Sequence, residues 1–348
     1  MKILHVLASN KYSGAENVVC QIIDMFKQDA EMAYCSPDGD ISNTLKGKGV
    51  NFLPLKKFSL KELKKAVKFF NPDIIHAHDL KAIALVSLLN KGYKKIAHVH
   101  VNDKDKMGKL SIKSFLLKLV SKKFNHIFWV SKSCFEDYKY KAAVQNKSSI
   151  LYNIINTEKF NQLANEDSNN YDYDMVYVGR LAYQKNPLRL LEIAKQLKEN
   201  GQKFKFAIIG SGDKEQEMKE FIATNNLGDC VSMLGFLSNG YKILSQAKLM
   251  LMTSLFEGTP MCALEALSLG TPIVTTKTDG MIDLIKDNYN GFLYDSNDEA
   301  VSKISSILND NNLYSTLSNN AINFSEDYNN LEKYKQSILQ IYNNTLKD

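Results

Sequence analysis

No stretch of the 348 residues approaches the run of ~18 apolar side chains that a membrane-spanning helix needs. The opening Met1–Ala8 is apolar but short. It is broken by His5 and no clean small-residue cleavage site follows, so it reads as a buried first strand rather than a signal peptide. Cysteine is sparse: Cys20, Cys35, Cys134, Cys230 and Cys262 are scattered, odd in number and without a Cys-x-x-Cys pair. Neither a disulfide framework nor a cysteine-held structural zinc site is expected, and a reducing cytoplasm is. No short-period repeat is present, so a solenoid is excluded. Gly210-Ser-Gly212 is a lone Gly-x-Gly that completes no dinucleotide fingerprint. No nucleic-acid-binding module is found, and no nucleic-acid partner is expected.

What is there suits a soluble globular protein. The chain is 44% hydrophobic, 10% aromatic and 24% charged, enough apolar surface for two cores. At ~100–200 residues per domain the length predicts two domains. The net charge of +6 is unevenly spread: residues 1–165 carry 27 basic against 14 acidic side chains, and residues 166–348 carry 17 against 24. A basic first half suits an anionic partner such as a membrane surface.

Short apolar runs alternate with amphipathic stretches through the first half, from Lys2–Ala8 to Ile150–Tyr152. The alternation restarts at Met175–Val178 and runs to Phe292–Tyr294. Strand–helix alternation predicts an α/β fold of two doubly wound Rossmann-like domains, with a ligand cleft at the carboxyl ends of the strands. Phe160–Tyr173 is polar and Asn/Asp-rich, and reads as the linker. The expected division is 1–165, an N-terminal acceptor-side domain; 166–325, a C-terminal donor-binding domain; and 326–348, a final helix packing back toward the first domain.

Three segments carry chemistry. In Leu255–Gly270, Pro260 suits the first position of a helix with Thr259 as its N-cap, leaving the amides of Met261, Cys262 and Ala263 free for a phosphate or carboxylate. Glu257 precedes that helix and Glu265 lies about two turns into it, within an apolar face. In Val178–Pro187, Arg180 and Lys185 lie on a strand-end loop and can clamp a diphosphate, Arg as a fork and Lys as a point charge. In Ser9–Glu16, Gly14 opens a helix and reads either as a site of close ligand approach or as a tight turn. His98 and His100, two apart on one strand, point to one face, either lining a cleft or packing; His76 and His78 share the spacing in a supporting role. Asp38-Gly-Asp40, Asp103-Lys-Asp105 and Asp172-Tyr-Asp174 have the Asp-x-Asp form of metal sites, but fall where loops are expected, so no metal ligand is expected.

The combination resembles the family 4 glycosyltransferases of the GT-B fold, over nearly the whole chain. The most specific element is Glu257 to Glu265 followed by Leu-Gly-Thr-Pro-Ile-Val. Gly14-Ala-Glu16, Asp73-Ile-Ile-His-Ala-His78, Val130-Ser131, Tyr152–Phe160, Val178-Gly-Arg-Leu181 with Lys185, and Asn290-Gly-Phe-Leu293 also match. The resemblance implies that Arg180 and Lys185 hold a donor diphosphate, Glu265 the ribose hydroxyls and Glu257 the donor sugar. It places Gly258 and the amides of Met261, Cys262 and Ala263 on the distal phosphate. Gly14 would close over the phosphates, with Gly210 also at the donor and Phe236 and Leu237 at its base. His100 is the first choice for the histidine at the reacting sugar and His98 the second; Ser13, Glu16 and Asn102 are expected on the acceptor side. The family's usual Gly-Gly is here Ser13-Gly14.

The function so implied is a retaining, metal-independent transfer, without cofactor, from a nucleotide-diphosphate sugar, probed first with uridine diphosphate sugars. The acceptor would be a lipid-linked oligosaccharide or polysaccharide of the bacterial surface. A nucleotide-sugar hydrolase or epimerase, and a non-catalytic nucleotide-sugar-binding subunit, are the competing functions. Lys104–Lys123 alternates lysines with apolar residues, a basic amphipathic helix whose apolar face packs on the sheet while its lysines touch an anionic inner leaflet.

Overall fold

The computed structural model describes residues 1–100 and 111–347. They form two compact units: Met1–Asn153 with Leu331 onward, and Ile154–Asn330.

In the first unit seven parallel strands run β1 (Lys2–Val6), β2 (Glu31–Pro37), β3 (Phe52–Leu55), β4 (Ile74–His78), β5 (Lys94–Val99), β6 (His126–Trp129) and β7 (Ser148–Ile150). Their spatial order is β3-β2-β1-β4-β5-β6-β7. The second unit's strands are β8 (Met175–Val178), β9 (Phe206–Ile209), β10 (Val231–Gly235), β11 (Leu249–Met252), β12 (Ile273–Thr276) and β13 (Gly291–Tyr294). Their order is β10-β9-β8-β11-β12-β13. Each sheet therefore reverses its winding once, between β1 and β4 and between β8 and β11. At such a switch point the loops leaving two neighbouring strands diverge and open a crevice at their carboxyl ends.

These strands form because their side chains are buried on both faces. All of Ile74–His78, Phe206–Ile209 and Leu249–Met252 are buried, as parallel strands covered by helices must be. The crossover helices start at polar caps. Ser59, Asp79, Ser131, Asn156 and Ser296 each accept a hydrogen bond from a backbone N–H two or three residues on.

Two boundaries differ from the sequence reading. The segment taken as linker begins inside a helix, Thr157–Glu166, of the second unit, so the division falls at Asn153/Ile154 rather than at 165/166. Its composition is polar, yet Phe160 and Ala164, one turn apart, are buried, and Phe160 packs edge-on to Tyr241 at 4.9 Å. Two inward anchors four residues apart fix a helix that mean polarity hides. At the other end Leu331–Lys347 is one helix of the first unit, so that boundary lies at 330/331 rather than 325/326. Tyr342 is buried against Phe26 with ring centroids 6.0 Å apart, and Lys335 pairs with Asp29 at 2.6 Å.

Candidate functional site

The switch point of the second sheet gathers most of the residues singled out above. The loop after β8 carries Arg180 and Lys185, and the loop after β11 carries Glu257 and Gly258. Backbone and side-chain bonds join them. Leu255 N–H donates to Gln184 O at 2.9 Å, and the Gln184 amide to Phe256 O at 3.0 Å. Thr253 Oγ1 donates to the carbonyls of Lys185 and Asn186, at 3.0 and 2.9 Å. Asn186 takes a left-handed conformation (φ 46°), a turn that Asn tolerates, and Pro187 then opens the next helix.

At the centre Lys185 Nζ donates to Glu257 Oε1 at 2.5 Å, and Ser254 Oγ donates to the same oxygen at 2.6 Å. Both side chains are almost wholly buried, 12% and 5% exposed. Burial works against charge on Lys185, but the Glu257 carboxylate outweighs it and holds the ammonium above its ordinary pKa. Arg180 stands exposed at the head of the same loop.

The helix Met261–Ser268 begins immediately after. Pro260 is its N-cap (φ −72°, ψ 124°) rather than its first residue, so the helix starts one place later than expected and Thr259 lies outside it. With no side-chain cap, the amides of Met261 and Cys262 are aimed out of the helix end, a place for anionic oxygens; Ala263, expected with them, instead donates its N–H to Pro260 O at 3.1 Å, closing the first turn. Cys262 beside them is no nucleophile, because burial pushes its thiol up to about 12. Glu265 lies one turn deeper, and burial alone raises its pKa to about 7.

Glycines set the spacing. A Cβ on Gly210 would lie 1.9 Å from Gly179 O, and one on Gly212 2.2 Å from Leu181 O. Their absence lets the loop after β9 lie against the Arg180 loop, where Leu181 N–H donates to Ser211 O at 2.9 Å. Phe236, 76% exposed, and Leu237 follow the end of β10.

Sequence reasoning missed Ser254, which donates to Glu257 three residues on, and Thr253 and Gln184, whose bonds join segments 68 and 72 residues apart in the chain. It also missed Gly280, whose Cβ would lie 1.1 Å from Gly258 O. Asp279-Gly280 is a recognisable turn dipeptide, but only the fold shows what it abuts. Conversely, Asn290-Gly291-Phe292 is structural. Asn290 bridges Lys286 N–H and Leu284 O, and Gly291 leaves room for Ile273 O.

The remaining predicted residues lie in the first unit. The helix Gly14–Met25 starts at Gly14, with Ser13 as N-cap residue, and Ser13 Oγ donates to buried Glu16 at 2.5 Å. His98 is fully buried one residue before the end of β5, and His100 follows the strand, 9% exposed. Asn102 and Asp103-Lys-Asp105 lie outside the described residues. Asp172 pairs with Lys205 Nζ at 2.5 Å, and Asp38 takes Gly39 N–H and Ser42 Oγ.

Two family models cover most of the chain: "Glycosyltransferase Family 4" over residues 12–159 and "Glycosyl transferases group 1" over residues 158–324. An uncharacterized glycosyltransferase of Methanocaldococcus jannaschii is 25% identical over 359 residues, 98% of each chain. A Campylobacter jejuni enzyme is 34% identical over 158 residues, 44% of each chain. Its name makes it an α-1,4-N-acetyl-D-galactosaminyltransferase acting on a diphospho-undecaprenol-linked glycan. Among solved structures, Anabaena HepE in complex with UDP superposes with a TM-score of 0.84 at 19% identity, covering 99% of this chain and 100% of that one. The chain is a glycosyltransferase of the GT-B fold and belongs to the family 4 group.

The raised pKa of Glu265 has a thermodynamic sign. A carboxyl at about 7 in the folded chain and 4.5 unfolded holds its proton more tightly when folded. Its contribution to stability is present below 4.5 and is lost as pH rises toward 7 and above. Glu265→Gln removes that loss, so the ligand-free variant is expected to be more stable than wild type by up to about 3 kcal/mol at pH 8. The gap narrows toward pH 5. Chemical denaturation at both pH values measures it, and a gap independent of pH contradicts the assignment.

Proposed function

We propose that this glycosyltransferase moves a hexose, with retention, from a uridine diphosphate sugar to a lipid-linked oligosaccharide or polysaccharide acceptor in bacterial surface polysaccharide synthesis. No metal is required on the diphosphate. The observation that carries this reading is the buried Lys185–Glu257 pair, held beside Arg180 and the start of the helix Met261–Ser268. UDP bound to HepE supports the donor, and the undecaprenol-linked substrate in the Campylobacter enzyme's name supports the acceptor.

As the glycosidic bond breaks, negative charge grows on the leaving diphosphate and positive charge on the sugar ring. Arg180, the Lys185 ammonium and the amides of Met261 and Cys262 meet the first charge with fixed donors. Each such donor is worth ~3–4 kcal/mol of barrier in a dry site. Glu257, its Oε1 already engaged, positions Lys185 and offers its second oxygen to the sugar. Glu265 accepts from the ribose hydroxyls, and Phe236 and Leu237 bound the base. In the first unit Gly14, with Ser13 and Glu16, closes on the phosphates, and His100 stands at the reacting sugar. Retention by attack on the face the diphosphate leaves is what family membership implies.

Arg180→Ala is expected to cut turnover roughly hundredfold at saturating donor while leaving stability unchanged, because the side chain is exposed. Lys185→Met is expected to lose as much, and also to destabilise the fold, because Glu257 is left buried without its partner. Transfer to a polyprenyl-diphosphate-linked glycan, followed by product chromatography, reads both. Wild-type turnover in Arg180→Ala excludes the clamp, and a requirement for added Mg²⁺ or Mn²⁺ excludes metal-free transfer.

We further propose peripheral docking on an anionic membrane through the first unit. Among the described residues no helix is long and apolar enough to cross a membrane. The helix Ile112–Ser121 differs from expectation, because its apolar side is not all on the sheet. Leu117 is buried, but Ile112 is 85%, Phe115 50% and Leu119 50% exposed, beside Lys113 and Lys118. The inward face is narrow and carries Ser114 and Ser121, so most of the apolar residues have no room on it. Residues 104–110 of the predicted element lie outside the described residues. Lysines at ~1 kcal/mol each steer the helix to anionic lipid, and the exposed apolar groups then enter the interface. Co-sedimentation with anionic vesicles is expected to exceed that with neutral ones, to fall with salt, and to fall in Ile112→Ser/Phe115→Ser. Equal pelleting on both lipids, or none, excludes docking.

A further inference from the structure

The chain has six histidines, and five of them meet on one face of three adjacent strands. His5 on β1 pairs in register with His76 on β4, and His78 on β4 with His98 on β5. His100 lies two residues beyond His98, where the period of two returns it to the same face. Four are fully buried, and His100 is 9% exposed. His5 Nδ1 lies 3.0 Å from His78 Nε2, and His78 Nδ1 lies 2.9 Å from His100 Nε2. His76 Nδ1 lies 2.9 Å from the Tyr342 hydroxyl. Both nitrogens of His98, and Nδ1 of His100, find no hydrogen-bond partner among the described residues. A buried imidazole with neither nitrogen satisfied is a costly arrangement for a side chain that only packs.

We propose that His78, His98 and His100 form a binding site for one divalent d-block cation of the zinc, cobalt or nickel class. One nitrogen from each of the three lies within 4.8 Å of the others. In a tetrahedral site with ~2.0–2.1 Å bonds, ligand nitrogens stand roughly 3.4 Å apart, so small ring rotations close the set. Burial lowers the pKa of all three rings, to about 3 for His100, and so keeps them in the neutral, ligating form. Three imidazoles and no carboxylate select a borderline cation over Mg²⁺ or Ca²⁺, and leave a fourth position open.

The overlapping triad of His5, His76 and His78 is less suited. It lacks a residue with both nitrogens unpartnered, and both His5 and His76 are fully buried, whereas His100 gives the chosen triad a way in. In the chosen triad His5 has an outer role. With the cation on His78 Nδ1, the ring proton sits on Nε2 and is donated to His5 Nδ1, the outer-sphere bond that fixes a ligating imidazole. The triad shares His100 with the proposed reaction centre, and it includes none of Arg180, Lys185 and Glu257.

The test uses the full chain, stripped with chelator and titrated with Co²⁺. The expected result is a visible d–d spectrum saturating at one equivalent. Zn²⁺ should displace the cobalt and raise the melting temperature, and Mg²⁺ should do neither. His98→Phe keeps a ring against Phe128, and it and His100→Phe are each expected to weaken cobalt binding at least about tenfold. His126→Gln, at the sixth histidine, should leave binding unchanged. Folded wild type that shows neither the spectrum nor a melting shift overturns the proposal, whatever the variants do. So does undiminished binding in both Phe variants. The readout is spectroscopic, so the result is independent of whether the chain transfers sugar.

Discussion

The second unit is organised around one buried ion pair. Lys185 and Glu257 come from loops that leave β8 and β11, which are neighbours only because the sheet reverses its winding there. Taking an ammonium and a carboxylate out of water is costly, and such a pair is kept only where its geometry is tight and its remaining valences are satisfied. Here Ser254 supplies a second donor to Glu257, and Thr253 takes the carbonyls of Lys185 and Asn186. Packing the two loops with apolar side chains would fill the same space at lower cost. A charged pair makes sense where it must present an ammonium at a fixed point beside a helix start. The pair is thus better explained by position than by stability.

Around that pair, fixed dipoles take the place of additional charge. The helix Met261–Ser268 starts without a side-chain cap, which leaves the amides of Met261 and Cys262 at its open end, and Gly280 lets its own helix lie directly against the Gly258 carbonyl. Glu265 is the counterweight. Its burial disfavours the ionised form in the empty protein, yet the ionised form accepts best from two hydroxyls. The folded chain therefore gives up stability at neutral pH, which a hydrogen-bond donor reaching that carboxylate would restore.

The fold was legible because parallel strands buried on both faces leave continuous apolar runs, and all thirteen strands begin or end within a few residues of such a run. Of the candidate site, what was legible is that Arg180 with Lys185 and Glu257 with Glu265 stand in spaced patterns at strand ends, where the fold brings their loops together. What was not legible depends on which strands become neighbours. Thr253 and Gln184 have no pattern of their own, and their bonds exist only once β11 lies beside β8. The polar Thr157–Glu166 was misread because two anchors can hold a helix whose mean composition looks like a linker. The outward apolar side of Ile112–Ser121 was misread for the converse reason. An amphipathic pattern tells which residues share a face, but not which face the sheet takes.

The histidines show the same limit most clearly. The spacings His76-x-His78 and His98-x-His100 are visible in the chain, and period two puts each pair on one face. His5 carries no such signal, and nothing local distinguishes it from a strand residue. It joins the others because β1 occupies the switch point beside β4, so the residue that interrupts the apolar opening run is the one that reaches His78. The reversal of winding between β1 and β4 thus concentrates neutral, lone-pair-bearing rings on neighbouring strands, in the half of the chain whose net charge is positive. A positive domain does not readily hold a further cation at its surface. Held in the sheet by neutral rings with no competing ammonium among them, a cation meets the least opposition the domain offers, and that is where the unsatisfied nitrogens are.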